Sequence, residues 1–188
     1  MDQRLTEFIA ACDKLAGGGQ DAGANVAAIA PLMLELVRAG RSLLDPDHLR
    51  EDPEQYARNA IHVGEADGVS LFALVWLPGQ WTPIHDHGTW GVVGVLDGVL
   101  EERAFLPATG WDDADYYPLT PGGIVFLSPG SVSTFVPNPD HIHVTGVPED
   151  REPVVSLHLY GRLMNSFHLY TPEHASRRLI DVPHYESS

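Results

Sequence analysis

Cys12 is the single cysteine among 188 residues, so no internal disulfide can form and the chain fits a reducing, cytoplasmic compartment. Positive charge is also scarce. The 11 Lys and Arg face 26 Asp and Glu, giving a net charge of −15, and Arg177-Arg178 is the only adjacent basic pair. A nucleic-acid groove needs clustered cations, so that class of partner is excluded. Any anionic substrate must instead be held by a few individually placed arginines. No apolar run approaches the length of a membrane span, and the start, Met1-Asp2-Gln3-Arg4-Leu5, carries neither the basic nor the apolar segment of a secretory signal. Long repeats, low-complexity tracts and linkers are missing too. What is left is 44% apolar, enough at this length for a real core. It predicts one domain over 1–188, acting as a monomer or weak homo-oligomer.

Two helices open the chain. Leu5, Phe8, Ile9, Cys12 and Leu15 recur at helical spacing, and Gly17-Gly18-Gly19 ends the stripe. Cys12 lies on that stripe and reads as a core thiol, not a nucleophile. A second helix is predicted over about 25–39, with Val26, Ile29, Met33, Leu36 and Val37 inward, Pro31 in its first turn or kinking it, and Gly40 as its stop. From about residue 57 short β-rich runs alternate with Gly/Pro turns: 57–63, 70–77, 82–87, 90–97, 99–106, 115–119, 123–128, 132–136, 141–146, 153–160 and 167–171. No βαβ rhythm appears, so the pattern predicts a mainly β sandwich or small barrel. The organisation is a helical preface at 1–55 (two or three helices), a barrel at 56–172 and a tail at 173–188 that is loose at its end.

Everything is arranged around Pro83-Ile84-His85-Asp86-His87-Gly88-Thr89-Trp90. Histidines at i and i+2 of an extended segment turn to one face, and neutral imidazole is the commonest ligand for divalent transition metals. Asp86, between them, points the other way. Gly79 precedes His85 by a gap of five residues, and Gly91, Gly94 and Gly98 punctuate the apolar run that follows. This frame resembles the first metal-binding motif of the cupin barrels, which implies a cupin (jelly-roll) β-barrel. That motif ordinarily adds a glutamate after a gap of three or four residues, where Gly91 and Val92 stand here. A set of neutral imidazoles leaves a metal its full charge and so favours anionic ligands such as a thiolate.

Gly123 and, after five residues, Pro129-Gly130 begin a second such motif, but the histidines come late, at His141 and His143. One of the two reads as a ligand and the other as a supporting or solvent-facing residue. Further on, Ser156, His158 and Tyr160 alternate with Val155, Leu157 and Leu159, so three polar side chains share one face of a strand. Joined hydroxyl to imidazole to phenol, they would fix the imidazole tautomer and the orientation of the phenol. Trp76, Trp81, Trp90 and Phe126 read as barrel core or pocket wall.

These motifs together resemble the cysteine dioxygenase family of thiol dioxygenases, over about 56–172. In that family the third metal ligand precedes the serine by thirteen residues, which selects His143 over His141. Tyr56-Ala57-Arg58-Asn59 is similar to the segment whose arginine holds the substrate carboxylate. The resemblance implies one non-haem Fe(II) on His85, His87 and His143. It also implies conversion of a small thiol and O2 to the sulfinic acid, with Arg58 and Tyr56 binding substrate and Tyr160, His158 and Ser156 serving the chemistry. Mammalian members crosslink the tyrosine to a nearby cysteine; Gly91 and Val92 offer none, so Tyr160 is expected uncrosslinked. Relatives that prefer 3-mercaptopropionate tend to carry glutamine where Arg58 stands, with an arginine supplied later. Arg58 therefore tilts the expectation to cysteine, and Arg162 lies near that later region. The competing readings are a 3-mercaptopropionate dioxygenase, a Zn or Mn cupin isomerase or hydrolase, and a non-catalytic ligand-binding cupin.

Overall fold

The computed structural model describes residues 1–64, 68–108, 116–137 and 141–181. Part of the strand expected at 115–119 and the end of the tail lie outside them. Helix α1 (Gln3–Ala16) begins where the Asp2 carboxylate accepts the Arg4 backbone N–H, and it buries Leu5, Phe8, Ile9 and Cys12. Helix α2 (Ala22–Arg38) begins in the same way on Asp21 and buries Val26, Ile29, Met33, Leu36 and Val37, the face expected of it. It starts earlier than its apolar stripe suggests, so Pro31 falls well inside, on an exposed position. Short 3-10 turns at Arg41–Leu43 and Pro46–Leu49 lead into the sheets.

Among the described residues ten strands follow: β1 (Ala57–Val63), β2 (Ser70–Trp76), β3 (Gly91–Asp97), β4 (Leu100–Pro107), β5 (Leu119–Leu127), β6 (Val132–Phe135), β7 (Ile142–Gly146), β8 (Val154–Tyr160), β9 (Ser166–Thr171) and β10 (Ser176–Asp181). They form a five-stranded sheet ordered β1-β2-β8-β3-β6, a three-stranded sheet ordered β5-β4-β7, and the hairpin β9–β10. Every pairing is antiparallel, as expected of a mainly β fold with a helical preface.

The five-stranded sheet has two different faces. Leu71, Ala73, Val92, Leu96, Val155, Leu157 and Leu159 join the core formed with α1 and α2, while Phe72, Leu74, Trp76, Val93 and Tyr160 belong to a second core on the other side. Period-2 alternation therefore puts Ser156, His158 and Tyr160 on the face away from the helices. The helices lie very close: a Cβ on Gly94 would sit 2.6 Å from Val37 Cγ1 and 2.9 Å from Met33 Cγ, so only glycine lets α2 settle on β3.

Three expectations fail. Residues 82–87 form no strand; single bridges from His85 to His143 and to Leu169 hold that segment instead. β10 has no counterpart among the strands expected from the sequence. Phe126 is neither core nor pocket wall: it lies on the outer strand β5, 54% exposed, with the Arg151 guanidinium 5.8 Å from its ring. Among the described residues no helix is long and apolar enough to cross a membrane.

Candidate metal centre

Reciprocal backbone hydrogen bonds, His85 N–H to His143 O and His143 N–H to His85 O, both 3.0 Å, clamp the histidine segment against β7. His87 follows two residues later on the same side. The three imidazoles are buried, their ring centroids are 4.8 Å apart in every pairing, and one nitrogen from each comes within 4.8 Å of the others. Burial, with help from the charge that a neighbouring His143 would carry, pushes His85 down to about 3 and His87 well below its ordinary value. Burial lowers His143 as well, against the pull of Glu102. All three rings are accordingly neutral near pH 7, the form that binds metal. His85 Nδ1–H donates to the Pro83 carbonyl at 3.0 Å, which leaves Nε2 as its free lone pair.

Asp86 points away from this trio and is 2% exposed. It accepts the His168 N–H at 2.9 Å, His168 Nδ1–H at 2.8 Å and the Tyr170 hydroxyl at 2.8 Å, which ties the ligand segment to β9. Burial and the bond to Asp86 hold Tyr170 firmly as a phenol.

The polar face of β8 forms a directed chain. Trp76 Nε1–H donates to Ser156 Oγ at 2.9 Å, Ser156 Oγ lies 2.9 Å from His158 Nε2, and His158 Nδ1 lies 3.3 Å from the Tyr160 hydroxyl. An indole can only donate, so the serine accepts from Trp76, and its own proton is free to bond His158 Nε2. In that arrangement Nδ1–H donates to the Tyr160 oxygen and leaves the phenolic proton available to the pocket; the reversed chain, Tyr160 O–H to Nδ1 and Nε2–H to Ser156, meets the same distances. Burial pushes His158 down to about 3 and Tyr160 up to about 12, so the chain is uncharged throughout the physiological range. Trp76 is a pocket wall, as expected, and it is also the anchor of this chain, which alternation along β8 could not reveal.

Tyr56 and Arg58 line the same pocket as the three histidines, His158 and Tyr160. The Tyr56 ring stacks on Trp76 at 4.5 Å, and the Arg58 guanidinium lies 4.4 Å from the Phe72 ring centroid. Arg162 is not among the pocket residues. Its guanidinium reaches the Leu163 and Ser166 carbonyls and the Asn165 amide oxygen, bracing the turn before β9. His141 stays outside the trio, stacked on Phe135 at 5.2 Å, with its Nε2 3.2 Å from Glu102 Oε1. Glu102 is the residue that sequence reasoning missed: buried on β4, it sets its other oxygen 3.4 Å from His143 Nδ1. The buried His87 Nδ1 and both ring nitrogens of His143 make no hydrogen bond. In a set of neutral imidazoles these lone nitrogens fit a divalent metal ion.

Residues 46–173 match the family model described as cysteine dioxygenase type I. This chain belongs to the cysteine dioxygenase family. It is therefore a cupin-type, metal-dependent dioxygenase. Solved structures with a similar fold include TT1209 from Thermus thermophilus (18% identity, 62% of this chain and 93% of that one, TM-score 0.45). Others are a double-stranded β-helix protein from Klebsiella pneumoniae (15%, 72% and 93%, 0.42) and a cupin-like protein from Thermotoga maritima (15%, 66% and 87%, 0.42). This cysteine dioxygenase family member has glycine directly across from Tyr160 on β3, at Gly91. A Cβ there would collide with the Phe135 ring, so the place a crosslinking cysteine would need is already filled by an aromatic side chain.

Proposed function

We propose that the protein is a thiol dioxygenase that uses one non-haem Fe(II) on His85, His87 and His143. It adds both atoms of O2 to a small carboxylated thiol, cysteine foremost, so that RSH and O2 give RSO2H. The observation that carries this reading is one pocket shared by three neutral imidazoles, a buried phenol bonded to His158 and an arginine. Iron would supply a site where thiol and O2 meet and where the thiol ionises near neutral pH. The chain's own residues do the rest. Arg58 pairs with the substrate carboxylate as a guanidinium fork can, and Tyr56, fixed by its stacking on Trp76, closes that side of the pocket. Tyr160 offers its proton to the oxygen or sulfur atoms of the reacting thiol. Trp76, Ser156 and His158 hold that phenol in place. Among the described residues no carboxylate lines the pocket: Asp86 is turned away onto β9 and Glu102 lies against Nδ1 of His143 outside the pocket lining, which disfavours a Zn or Mn isomerase that needs a carboxylate beside the metal.

The deciding experiment is oxygen uptake by iron-loaded protein with cysteine, 3-mercaptopropionate, cysteamine and mercaptosuccinate. Cysteine should be turned over best. Turnover of cysteamine, which has no carboxylate, at the cysteine rate would refute the role of Arg58. No uptake with any thiol by protein that holds iron would refute the proposed reaction.

A further inference from the structure

We infer that Glu102, held by His141, is a positioning residue for the metal ligand His143. The inference rests on the metal-centre reading above and goes beyond it. In the β4–β7 register Ala104 stands opposite His143 and Glu102 opposite Thr145, so Glu102 projects on the same face as the ligand, one alternation along. Its two oxygens have separate partners: Oε2 lies 3.4 Å from His143 Nδ1 and Oε1 lies 3.2 Å from His141 Nε2. Each oxygen of the carboxylate thus faces an imidazole, and the closer contact to His141 opposes rotation away from His143. Neither ring nitrogen of His143 makes a hydrogen bond as the structure stands; with Nδ1 facing an anion, that nitrogen is the one to carry the proton, which leaves Nε2 bare for a metal. A carboxylate behind a ligating imidazole fixes the ring's tautomer and raises its basicity toward the metal. The 3.4 Å separation is longer than the roughly 2.7–2.9 Å of an aligned charge-assisted bond. Withdrawal of electron density through Nε2 would make Nδ1–H a stronger donor and draw this contact in. His141, by this account, is no ligand of the trio; it orients Glu102.

The same three groups, Glu102, His141 and His143, could instead hold an ion of their own, since their donor atoms are also within 4.8 Å. A titration separates the two possibilities without any reference to turnover. Metal-free protein is titrated with Co(II), the d–d bands are recorded, and thermal melting is measured in parallel. Wild type should bind one equivalent. Glu102→Gln, which keeps the shape and removes the charge, should weaken Co(II) binding by about 10- to 100-fold and shift the bands, with melting of the metal-free protein little changed. Glu102→Asp should recover part of the loss, and it carries the test if the glutamine variant fails to fold. His141→Gln should still bind one equivalent, within about threefold of wild type. Unchanged affinity and spectrum in both Glu102 variants would overturn the inference while leaving the metal centre standing. A second equivalent in wild type, lost on changing either Glu102 or His141, would overturn it in favour of a second ion. Wild-type protein that binds no Co(II) would overturn the metal centre itself.

Discussion

Replacing Tyr160 by phenylalanine removes one oxygen atom and little else, because the ring stays in the packed face of β8 that it shares with Phe72 and Phe135. The loss is felt in two places. Inside the fold, His158 Nδ1–H loses its only acceptor in a fully buried site. The 3.3 Å bond is long, so the penalty should fall toward the lower end of the roughly 1–3 kcal/mol for a stranded donor. For a domain of this size that lowers the melting temperature by about 2–6 °C. At the reacting atoms, the directed phenolic proton is gone, and a positioned proton donor typically contributes on the order of 10²-fold or more. Oxygen uptake at saturating cysteine should therefore fall about a hundredfold, while bound iron per chain stays at the wild-type level. His158→Gln should lose less, since it acts by orienting the phenol. The double variant should be no slower than Tyr160→Phe alone, because members of one chain do not add. Wild-type uptake by iron-replete Tyr160→Phe protein would refute the reasoning and leave Tyr160 a packing residue.

Alanine at His85, His87 or His143 should each strip the metal, measured as iron per chain, whereas His141→Ala should retain it; the reverse order for the last two would show the trio to be misassigned. Arg58→Ala should leave iron content intact and raise KM for cysteine steeply, in keeping with about 3–5 kcal/mol for a half-empty buried ion pair, while Arg58→Gln should hurt cysteine more than 3-mercaptopropionate. If both variants keep the wild-type KM for every carboxylated thiol, another cation binds the carboxylate. In metal-free protein, His158 and His85 remain neutral down to about 3, while in the unfolded chain each takes up a proton below about 6.5. The unfolded state binds more protons across that window, so stability is full above pH 6.5 and falls as pH drops toward 3, by up to about 1.4 kcal/mol per pH unit for each group. Melting followed against pH should show that slope, and His158→Gln should flatten it.

The histidine pair and the polar face of β8 were legible because each depends on nothing but alternation within a single extended segment. Even so, the segment around His85 did not become a strand, because its partners arrive as single bridges from β7 and β9, and no local pattern announces those. Glu102 escaped notice for a related reason. It reads as one of two adjacent acids on a strand, and only the β4–β7 register brings it beneath His143. Phe126 shows the opposite error: an apolar residue in a strand reads as core, but β5 is the outer strand of its sheet and its middle faces solvent. The hairpin strand β10 is hard to see in the sequence because Leu179 and Ile180 are adjacent and blur the period of two.

The fastening of Asp86 to β9 limits how a substrate can reach the centre. The β9–β10 hairpin contributes Phe167, Leu169 and Ile180 to the pocket, so it looks like a natural flap. Yet the Asp86 N–H bonds to the His168 carbonyl, the Tyr170 N–H bonds to that of Ile84, and the Asp86 carboxylate is bonded to both side chains. Swinging the hairpin outward would break these bonds and drag the residue that sits between two histidines of the trio. Hairpin and histidine segment are therefore coupled, and room for a guest comes more readily from rotation of lining side chains such as Phe167 and Met164 than from movement of the backbone. An entrance that widens only by rotamer changes sieves by girth, and bulky guests such as peptides are the first it turns away.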